Sequence, residues 1–262
     1  MQEYSNAAIK PVPNVAQELY GVILAAGNGS RLGYPNELGG KAMVKVQEKP
    51  LLYFALQKLQ EAGIKKIALV VNPHNLNAIC AYVGNGEDFG VHITFVIQEQ
   101  PLGIAHALSL CEPVTKKHKV ALLLVDNLFE ASVKGFAAAF LEQNAEAMVF
   151  LTKVENPQAF GVAKLVNGKI VQILEKPQEP PGNWVVLGFY LYNAGVYEII
   201  KKIQPSARGE LEITDVNAAY LAKGKLCHAK LAGFWLDIGT PENHLKAEQF
   251  LPVVNTAKCF RD

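Results

Sequence analysis

One short segment near the start of the chain combines residue types that suit the binding of phosphate groups. It follows the apolar run Gly21–Leu24, and its small residues leave room for a ligand close to the backbone. Its two glycines can adopt tight turns that other residues resist, and N–H groups in such turns bind phosphate oxygens. Arg31 and Lys41 add two positive charges after the turn. Cations so placed can neutralise a polyphosphate and stabilise charge during its transfer, so the segment indicates nucleotide chemistry.

Two other interpretations of this segment compete with that one. A Gly-x-Gly sequence after a strand also occurs in ordinary strand-to-helix turns. A dinucleotide-binding fold needs a third glycine, where this chain has Leu32, and an acidic residue at the end of the next strand, about 20 residues on. The next strand-like run, residues 67–71, ends in Asn72, and the two cations have no role in that scheme. The sequence therefore disfavours a nicotinamide cofactor, which is kept as a remote alternative.

Two acidic residues follow apolar segments at places where a buried strand would end. Asp126 comes directly after residues 120–125, the most hydrophobic run of the chain, and Asp237 follows Phe234–Leu236. A buried carboxylate needs hydrogen bonds or a cation, because its desolvation is otherwise costly. Together the two carboxylates could hold Mg²⁺, which prefers oxygen ligands and phosphate partners. The alternative, that each carboxylate only caps a loop or a helix, fits the spacing about equally well.

The other charged groups of the sequence are less specific. Glu175 and Lys176 follow a strand-like run, and Arg208–Asp215 is dense in charge and could merely precede and cap a helix. The six histidines are isolated, without the spacing of metal ligands, and no Ser-His-Asp or Cys-His pattern stands out. The sequence thus offers cations and carboxylates for binding but no nucleophile for a covalent intermediate.

The elements that must position these residues alternate between strand and helix in the first half of the chain. Apolar patterns predict strands at residues 21–24, 67–71, 91–97, 120–125 and 146–152. They also predict one helix that ends before Gly63, a second over residues 103–111 and a third over residues 131–143. This order of strand and helix implies a parallel sheet with helices on both sides.

The second half of the chain has a different pattern. Asn167-Gly168, between the strand-like runs 161–166 and 169–174, is the strongest hairpin signal in the sequence. A further strand is predicted at 185–192, with helices near 194–202 and 215–223 and a last helix capped by Thr240. We therefore predict an α/β fold: a mostly parallel, doubly wound (Rossmann-like) mixed sheet with an inserted antiparallel lobe.

Composition narrows the class of protein. The chain has 262 residues, of which 50% are hydrophobic and 19% charged, so it is long enough and apolar enough for a substantial core. Lys and Arg number 25 against 24 Asp and Glu, so no excess charge argues for nucleic acid or a membrane surface as partner. No apolar run approaches the ~20 residues of a membrane span. The four scattered cysteines are typical of reduced thiols, and we expect a cytoplasmic protein that binds neither nucleic acid nor membrane.

Taken together, these segments resemble the sugar-1-phosphate nucleotidyltransferases, and most closely the glucose-1-phosphate thymidylyltransferases. The matching segments occur in the family's order and are Leu24–Leu32, Lys41, Glu48–Pro50, Gln98–Gly103, Asp126–Phe129, Phe160–Val162, Glu175–Pro177, Arg208–Asp215 and Trp235–Thr240. The resemblance implies an N-terminal extension over residues 1–19, a nucleotidyltransferase domain over 20–250 and a tail over 251–262. Within the domain, the nucleotide-binding half would cover about 20–150 and the sugar-binding half about 151–240.

The resemblance also implies a reaction and a role for each matching residue. A nucleoside triphosphate and a sugar 1-phosphate would be the partners, and direct in-line attack, with Mg²⁺ as cofactor, would give a nucleotide sugar and pyrophosphate. Catalysis would then rest on positioning and charge neutralisation. The resemblance implies catalytic binding of the triphosphate by Arg31 and Lys41, catalytic binding of the sugar phosphate by Lys176 and Arg208, and coordination of Mg²⁺ by Asp126 and Asp237. It implies contact with sugar hydroxyls by Gly161 and Glu175 and recognition of the pyrimidine by Gln98 and Gly103. The nucleotide pocket would be lined by Leu24, Ala26 and Gly27.

Several positions depart from the pattern of this family. Val125 stands where the family usually has glycine, and the other departures are Tyr34, Asn36, Gly40 and Lys45. The chain ends soon after its last predicted helix, so we expect a short form without the C-terminal regulatory region. The leading prediction is an enzyme that uses dTTP and glucose 1-phosphate or a close hexose phosphate. The alternatives are the same chemistry with UTP or another nucleotide, and a non-catalytic sensor of nucleotide sugars. A homo-oligomer is compatible with the sequence.

Overall fold

The computed structural model describes residues 14–27, 29 and 32–250, with the backbone alone at residue 250. The described chain folds around a nine-stranded mixed sheet. In chain order, the strands are β1 (Leu19–Leu24), β2 (Lys45–Val46), β3 (Lys49–Pro50), β4 (Lys66–Val71), β5 (His92–Ile97), β6 (Lys119–Leu124), β7 (Asn127–Phe129), β8 (Ala147–Lys153), β9 (Gly161–Val166), β10 (Lys169–Glu175), β11 (Trp184–Tyr192), β12 (Leu226–Lys230) and β13 (Trp235–Asp237).

Helices cover both faces of this sheet. They are α1 (Val15–Glu18), α2 (Leu51–Glu61), α3 (Leu76–Val83), α4 (Ile104–Ser109), α5 (Glu112–Thr115), α6 (Lys134–Glu142), α7 (Val196–Ile200), α8 (Ile213–Ala222) and α9 (Pro241–Phe250). One hydrophobic cluster packs α2, α3 and α6 against one face, and a second cluster packs α4, α7 and α8 against the other.

The first half of the chain builds the parallel part of the sheet. Its strands run in the order β5-β4-β1-β6, and each pair of neighbours is parallel. The central strands β1, β4 and β6 are almost continuously apolar because helices cover both of their faces. The predicted doubly wound, largely parallel sheet is therefore confirmed.

The second half of the chain adds the antiparallel part. β11 pairs antiparallel with β6, and it also pairs antiparallel with β8 and β9. The predicted hairpin of β9 and β10 turns at Asn167 and Gly168, whose φ angles of 48° and 76° give the left-handed turn that such hairpins favour. The inserted antiparallel lobe is therefore present as predicted.

The register of β11 is interrupted between Val186 and Tyr190 where it pairs with β8. Gly188 lies in this interruption, and a side-chain carbon there would come within 2.7 Å of Asn127 Cγ. Only a glycine lets the backbone of β11 pass so close to the start of β7. The interruption therefore brings the antiparallel lobe against the residue that follows Asp126.

Short elements differ most from the sequence predictions. β7 and β13 pair antiparallel, and neither was predicted, because three residues are too few to leave an alternating pattern. The helix expected over 131–143 covers Lys134–Glu142, and the one expected near 194–202 covers Val196–Ile200. The helix expected over 103–111 ends at Ser109, before the separate helix α5. Helix ends are set by local contacts that periodicity does not record.

The two ends of the described chain can be compared with the predicted domain limits. β1 begins at Leu19, one residue before the predicted domain start. Residues 1–13 of the predicted extension and the predicted tail 251–262 lie outside the described residues. The Thr240 hydroxyl oxygen accepts the N–H of Asn243 at 3.2 Å, which confirms the predicted cap of α9. None of the described helices has the length and apolar character needed to cross a membrane.

Candidate active site

A cleft of about 340 Å³ opens at the carboxyl ends of β1 and β6. This is the edge at which doubly wound sheets usually bind ligands. Seven of the residues singled out in the sequence line this cleft, and they are Leu24, Ala26, Gly27, Lys41, Gln98, Gly103 and Asp126.

The glycine-rich segment forms one wall of the cleft. Gly27, Gly29 and Leu32 line it, and the N–H of Leu32 donates to the carbonyl of Gly29 at 2.9 Å. Arg31 lies outside the described residues, between two positions of this wall. The role of Arg31 in binding a triphosphate therefore stays a prediction.

The position where a dinucleotide-binding fold needs an acidic residue is occupied by a buried amide. Asn72 follows β4, and its Nδ2 donates to the carbonyl of Ala26 at 2.9 Å. Its Oδ1 accepts the N–H groups of His74 and Asn75, each at 2.9 Å. Asn72 therefore holds the wall through Nδ2 and its own turn through Oδ1, and it is not the acidic residue with which a dinucleotide-binding fold binds a ribose. This geometry argues further against a nicotinamide cofactor.

Lys41 and Asp126 form an ion pair inside the cleft. Their side chains are only 13% and 17% exposed, so water screens the pair weakly. Asp126 Oδ2 accepts Lys41 Nζ, and Asp126 Oδ1 accepts Nδ2 of Asn127 at 2.9 Å. The cation and hydrogen bonds that a buried carboxylate requires are therefore both present.

Two departures from the family pattern change this part of the cleft. Val125 is 4% exposed, packs in the hydrophobic core and is one of the residues that line the cleft beside Asp126. Gly40 has a φ of 59°, which proline cannot adopt because its ring fixes φ near about −65°. The backbone before Lys41 therefore follows a path that a proline at this position would exclude.

Asp237 lies beside Asp126 but does not line the same cleft. It ends β13, where the register pairs it with Asn127. The next residue, Ile238, donates its N–H to the carbonyl of Asp126 at 2.8 Å. The backbone carbonyl of Asp237 in turn accepts a hydrogen bond from Nδ2 of Asn243 at 2.7 Å. The β7–β13 pair, which the sequence analysis missed, is what brings the two aspartates together.

The pKa of the buried phenol of Tyr190 responds to three carboxylates. Burial raises the pKa of Tyr190, and the negative charges of Glu175, Asp126 and Asp237 raise it further. Asp126 and Asp237 thus supply two carboxylates to one region, which fits the preference of Mg²⁺ for oxygen ligands. No group of three or more His, Cys, Asp or Glu within the described ranges could hold a metal ion. Substrate phosphates and water would have to complete the coordination of an ion held there.

Gln98 is fixed by a histidine to which the sequence analysis gave no functional role. Gln98 is 7% exposed, and its Nε2 lies 3.1 Å from Nδ1 of His106 on α4. Burial lowers the pKa of His106, which favours the neutral ring and leaves Nδ1 able to accept a hydrogen bond. The spacing of Gln98 and His106 gave no signal, because the residues meet across a loop and not along one helix.

The predicted sugar-binding residues form a second group, outside the cleft lining. Gly161 begins β9 directly opposite Glu175, the last residue of β10. Glu175 Oε2 accepts the hydroxyl of Thr214 at 2.5 Å, and Oε1 lies 3.9 Å from Nζ of Lys176. Burial raises the pKa of Glu175 and the charge of Glu212 raises it further, although Thr214, Lys176 and Arg208 act in the opposite direction.

Arg208 is held by a buried glutamate four residues further along the chain. Nη2 of Arg208 lies 2.8 Å and 2.9 Å from the two carboxylate oxygens of Glu212. Glu212 is 5% exposed and also accepts the hydroxyl of Ser206 at 2.7 Å. Arg208 Nη2 lies 3.5 Å from Glu175 and 3.5 Å from Glu210. No spacing rule identifies this pair, because residues 208–212 precede the helix α8 and the segment is dense in charge.

The two groups of residues are joined by backbone contacts beside Gly103. The N–H of Leu211 donates to the carbonyl of Leu102 at 2.8 Å, and the N–H of Ala105 donates to Leu211 at 3.1 Å. Glu210, the neighbour of Leu211, lines the cleft. The segment that carries Arg208 is therefore fixed to the loop that carries Gly103, and its residue Glu210 reaches the cleft.

The whole of this region falls within a match to a known protein family. The family model described as nucleotidyl transferase matches residues 20–253. A glucose-1-phosphate thymidylyltransferase of Neisseria meningitidis is 39% identical over 241 residues, which are 89% of this chain and 83% of that protein. The low-salt glycan biosynthesis nucleotidyltransferase Agl11 of Haloferax volcanii is 37% identical over 233 residues. The match covers 88% of this chain but only 65% of the length of the Haloferax protein.

Solved structures support the same relationship. A protein from Bacillus anthracis, assigned as a glucose-1-phosphate thymidylyltransferase and solved in complex with sucrose, is 38% identical with a TM-score of 0.83. The match covers 88% of this chain and 94% of that one. A UDP-glucose pyrophosphorylase complexed with UDP-glucose is 23% identical with a TM-score of 0.79, and it shares the fold.

Proposed function

The chain belongs to the nucleotidyl transferase family, and on this premise we propose that it makes a nucleotide sugar from a nucleoside triphosphate and a hexose 1-phosphate. The observation that carries this proposal is the Lys41–Asp126 ion pair in a cleft walled by the glycine-rich segment. A cation, a carboxylate and a small-residue loop at the carboxyl edge of a parallel sheet suit the binding of a triphosphate. The relatives of more than 30% identity carry names of this class of enzyme.

The reaction is a direct displacement at the α-phosphorus. A phosphate oxygen of the sugar 1-phosphate attacks the α-phosphorus, the bond from that phosphorus to the bridging oxygen breaks, and pyrophosphate leaves with the electron pair. The absence of a nucleophile pattern in the sequence agrees with a single step, in which positioning and charge neutralisation supply the catalysis. In this proposal Lys41 and Arg31 hold the triphosphate and neutralise charge that develops on the leaving group.

Asp126 and Asp237 are the residues that would hold Mg²⁺ in this proposal. Mg²⁺ held by these two carboxylates would supply positive charge to neutralise the phosphates of the substrates. Lys41, which pairs with Asp126, would be close to the same phosphates. Asn127 and Ile238 keep the two acidic strand ends in register.

The second group of residues would bind the sugar 1-phosphate. Lys176 and Arg208 carry the positive charges that suit its phosphate, and Arg208 has the planar set of donors that phosphates favour. Glu175 and the backbone at Gly161 would accept or donate hydrogen bonds to sugar hydroxyls. Support comes from the contact of Glu175 with both cations, which gathers the three side chains in one cluster.

The nucleotide is proposed to be dTTP and the sugar phosphate glucose 1-phosphate, as the names of the similar thymidylyltransferases suggest. Gln98 and Gly103 would face the pyrimidine, above the pocket formed by Leu24, Ala26 and Gly27. Recognition of one methyl group is worth only about 1–3 kcal/mol. An enzyme that prefers UTP is therefore the closest alternative, and a non-catalytic sensor is the alternative from another class.

Steady-state release of pyrophosphate tests the proposal. With glucose 1-phosphate and Mg²⁺, we expect kcat/KM for dTTP to exceed that for UTP by about tenfold or more, the range that a methyl group can supply. Asp126→Asn and Arg31→Ala should abolish turnover, whereas Asp88→Asn, the same change at an exposed position, should leave it intact. A preference for UTP would overturn the choice of base. Binding of nucleotide without turnover of any hexose phosphate would favour the sensor.

The cytoplasmic location and a homo-oligomeric state stay predictions. Size-exclusion chromatography with light scattering would determine the oligomeric state directly.

A further inference from the structure

The side-chain amide of Gln98 is held by a ring on the neighbouring helix. Gln98 follows β5, lines the cleft and is 7% exposed. Its backbone N–H donates to the carbonyl of Val71 at 2.8 Å, which fixes the backbone at this point. Its Nε2 lies 3.1 Å from Nδ1 of His106, on the helix α4 that begins directly after Gly103. The amide and the ring are therefore both anchored at regular elements of the fold.

The ring determines which end of the amide it contacts. Burial lowers the pKa of His106, which favours a neutral ring with one N–H and one acceptor nitrogen. Nε2 of Gln98 donates to Nδ1, so the ring carries its proton on its own Nε2. Turning the amide end for end would place Oε1 of Gln98 against Nδ1, and both of these atoms are acceptors. The lost hydrogen bond disfavours the turned amide by about 10–100-fold.

An amide held in this way presents a defined pattern of hydrogen-bonding groups. Nε2 has two N–H groups, of which His106 takes one, so a carbonyl oxygen and one N–H remain side by side. Thymine and uracil present a donor at N3 and an acceptor at O4, which complement that pair. Cytosine presents an acceptor at N3 and a donor at N4, so it needs the amide turned the other way. An amide free to turn would pair with either kind of base.

We propose that His106 is a positioning residue for base selection: by holding the amide of Gln98 in one orientation, it favours thymine and uracil nucleotides and rejects cytosine nucleotides. The proposal rests on the proposed function, in which Gln98 faces the pyrimidine. Among the described residues, those that line the cleft include Gln98 but not His106, so the ring acts through the amide. Specificity of this kind comes from opposing the wrong partner with like groups.

Two substitutions of equal size separate this role from a structural one. His106→Asp presents only acceptors when ionised, so it keeps the amide as the ring does. His106→Asn can present either its oxygen or its nitrogen, so it keeps a hydrogen bond but lets the amide turn. Isothermal titration of the full chain with dTTP and with dCTP, in Mg²⁺ and without sugar phosphate, measures the preference independently of turnover. The charge of the Asp variant weakens both nucleotides alike and cancels in the ratio of their Kd values.

We expect wild type and His106→Asp to bind dTTP about tenfold or more tightly than dCTP, and His106→Asn to lose most of this difference. His92→Asn, at the exposed first residue of β5, is the control and should keep the wild-type ratio. The ring nitrogens of His106 give a second readout in ¹⁵N NMR, assigned by comparison with His106→Asn. We expect Nδ1 without a proton, and a protonated Nδ1 would contradict the proposal.

The outcomes distinguish this inference from the proposed function. If folded His106→Asn prefers dTTP as strongly as wild type, or if His106→Asp loses the preference as well, the positioning role is wrong and the proposed function stands. The same holds if the wild-type chain binds dCTP as tightly as dTTP. If the wild-type chain binds neither nucleotide, the proposed function fails and the inference fails with it.

Discussion

Three carboxylates lie near the guanidinium group of Arg208, and they differ in their distance from its Nη2 atom. Glu212 makes the two short contacts of 2.8 Å and 2.9 Å, whereas Glu175 and Glu210 lie 3.5 Å away. Glu212 is also the most buried of the three, so its contact with Arg208 is the least screened. The position of the guanidinium is therefore set mainly by a residue that need not touch substrate.

Replacing Glu212 should impair the binding of the sugar phosphate. Glu212→Gln keeps the volume but removes the charge that fixes Arg208, so we expect KM for the hexose 1-phosphate to rise about tenfold, which corresponds to about 1.4 kcal/mol. KM for the nucleotide should change little. Glu210→Gln removes only a 3.5 Å contact and should have a smaller effect on sugar binding. Equal effects of the two changes in initial-rate measurements would contradict the ranking.

Glu175 gives the protein a pH-dependent stability of defined sign. Burial raises its folded-state pKa above the ordinary value of 4.5. Below that value the carboxyl is protonated in the folded and unfolded chains alike. As pH rises, the unfolded chain loses the proton first, so the free energy of unfolding falls until the folded-state pKa has been passed.

Glu175→Gln should therefore unfold at higher denaturant concentration than wild type near neutral pH, and at the same concentration near pH 4. Glu198→Gln is a control of opposite sign, because Lys201 lowers the pKa of Glu198. That carboxylate stabilises the fold above its pKa, so its removal should lower stability at neutral pH. Denaturant midpoints of wild type and of both variants, measured from pH 4 to neutral pH, test this prediction. A difference between Glu175→Gln and wild type that does not vary with pH would contradict the assignment.

Sequence alone predicted the charged residues of the candidate site but not the side chains that hold them. Lys41, Asp126 and Glu175 follow turns or strands and could be singled out by position. His106, Asn127 and Glu212 act through contacts across loops and strands, or within a segment already dense in charge. No spacing rule reveals such contacts, because they depend on which elements become neighbours in the fold.

Among the elements, strand length decided what could be predicted. β4 and β6 are six-residue strands with continuous apolar runs, and Asn167-Gly168 marks its hairpin by turn chemistry alone. β7 and β13 are three residues long, and they are stabilised by their pairing rather than by a pattern of their own. The missed pair is the element that brings Asp237 beside Asp126.

The junction of two loops at Gly103 connects the cleft to the proposed sugar-binding group. Gly103 has a φ of 105°, and an added side-chain carbon would lie 2.5 Å from the carbonyl oxygen of Leu211. Gly103→Ala should therefore destabilise the fold by about 2–4 kcal/mol through backbone strain and steric overlap. It should also raise KM for both substrates, because the displaced segment carries Arg208.

Gly182→Ala, in open space before β11, is the matched control and should change neither stability nor KM. Thermal unfolding followed by circular dichroism, with initial rates for each substrate, measures both effects. An increase in KM for the nucleotide alone would show that the two loops are not coupled.

At the scale of the whole molecule, the general rule for doubly wound sheets located the site. The order β5-β4-β1-β6 directs the ends of β1 and β6 to one edge, and the cleft opens there. The sequence could predict this edge because the rule depends only on strand order and direction. It could not predict that the antiparallel lobe reaches the same edge, because that contact depends on the interruption of β11 at Gly188.

The Lys41–Asp126 pair also determines how the whole fold should respond to metal removal. Lys41 already compensates part of the buried charge of Asp126, so a chelator should abolish activity of the wild-type chain and lower its melting temperature only slightly. Lys41→Met removes the cation from a largely buried carboxylate. This change should lower stability by up to about 3 kcal/mol, because breaking one side of a buried ion pair leaves an uncompensated charge.

Added Mg²⁺ should then restore the melting temperature of Lys41→Met, because an ion bound at Asp126 supplies the missing positive charge. Lys246→Met is the matched control: it breaks an exposed pair with Glu242, and its small effect should not depend on Mg²⁺. Differential scanning calorimetry with and without chelator measures each variant. If Lys41→Met melts at the same temperature in Mg²⁺ and in chelator, Asp126 is not a ligand of the ion. The metal site would then have to be sought away from the carboxyl end of β6.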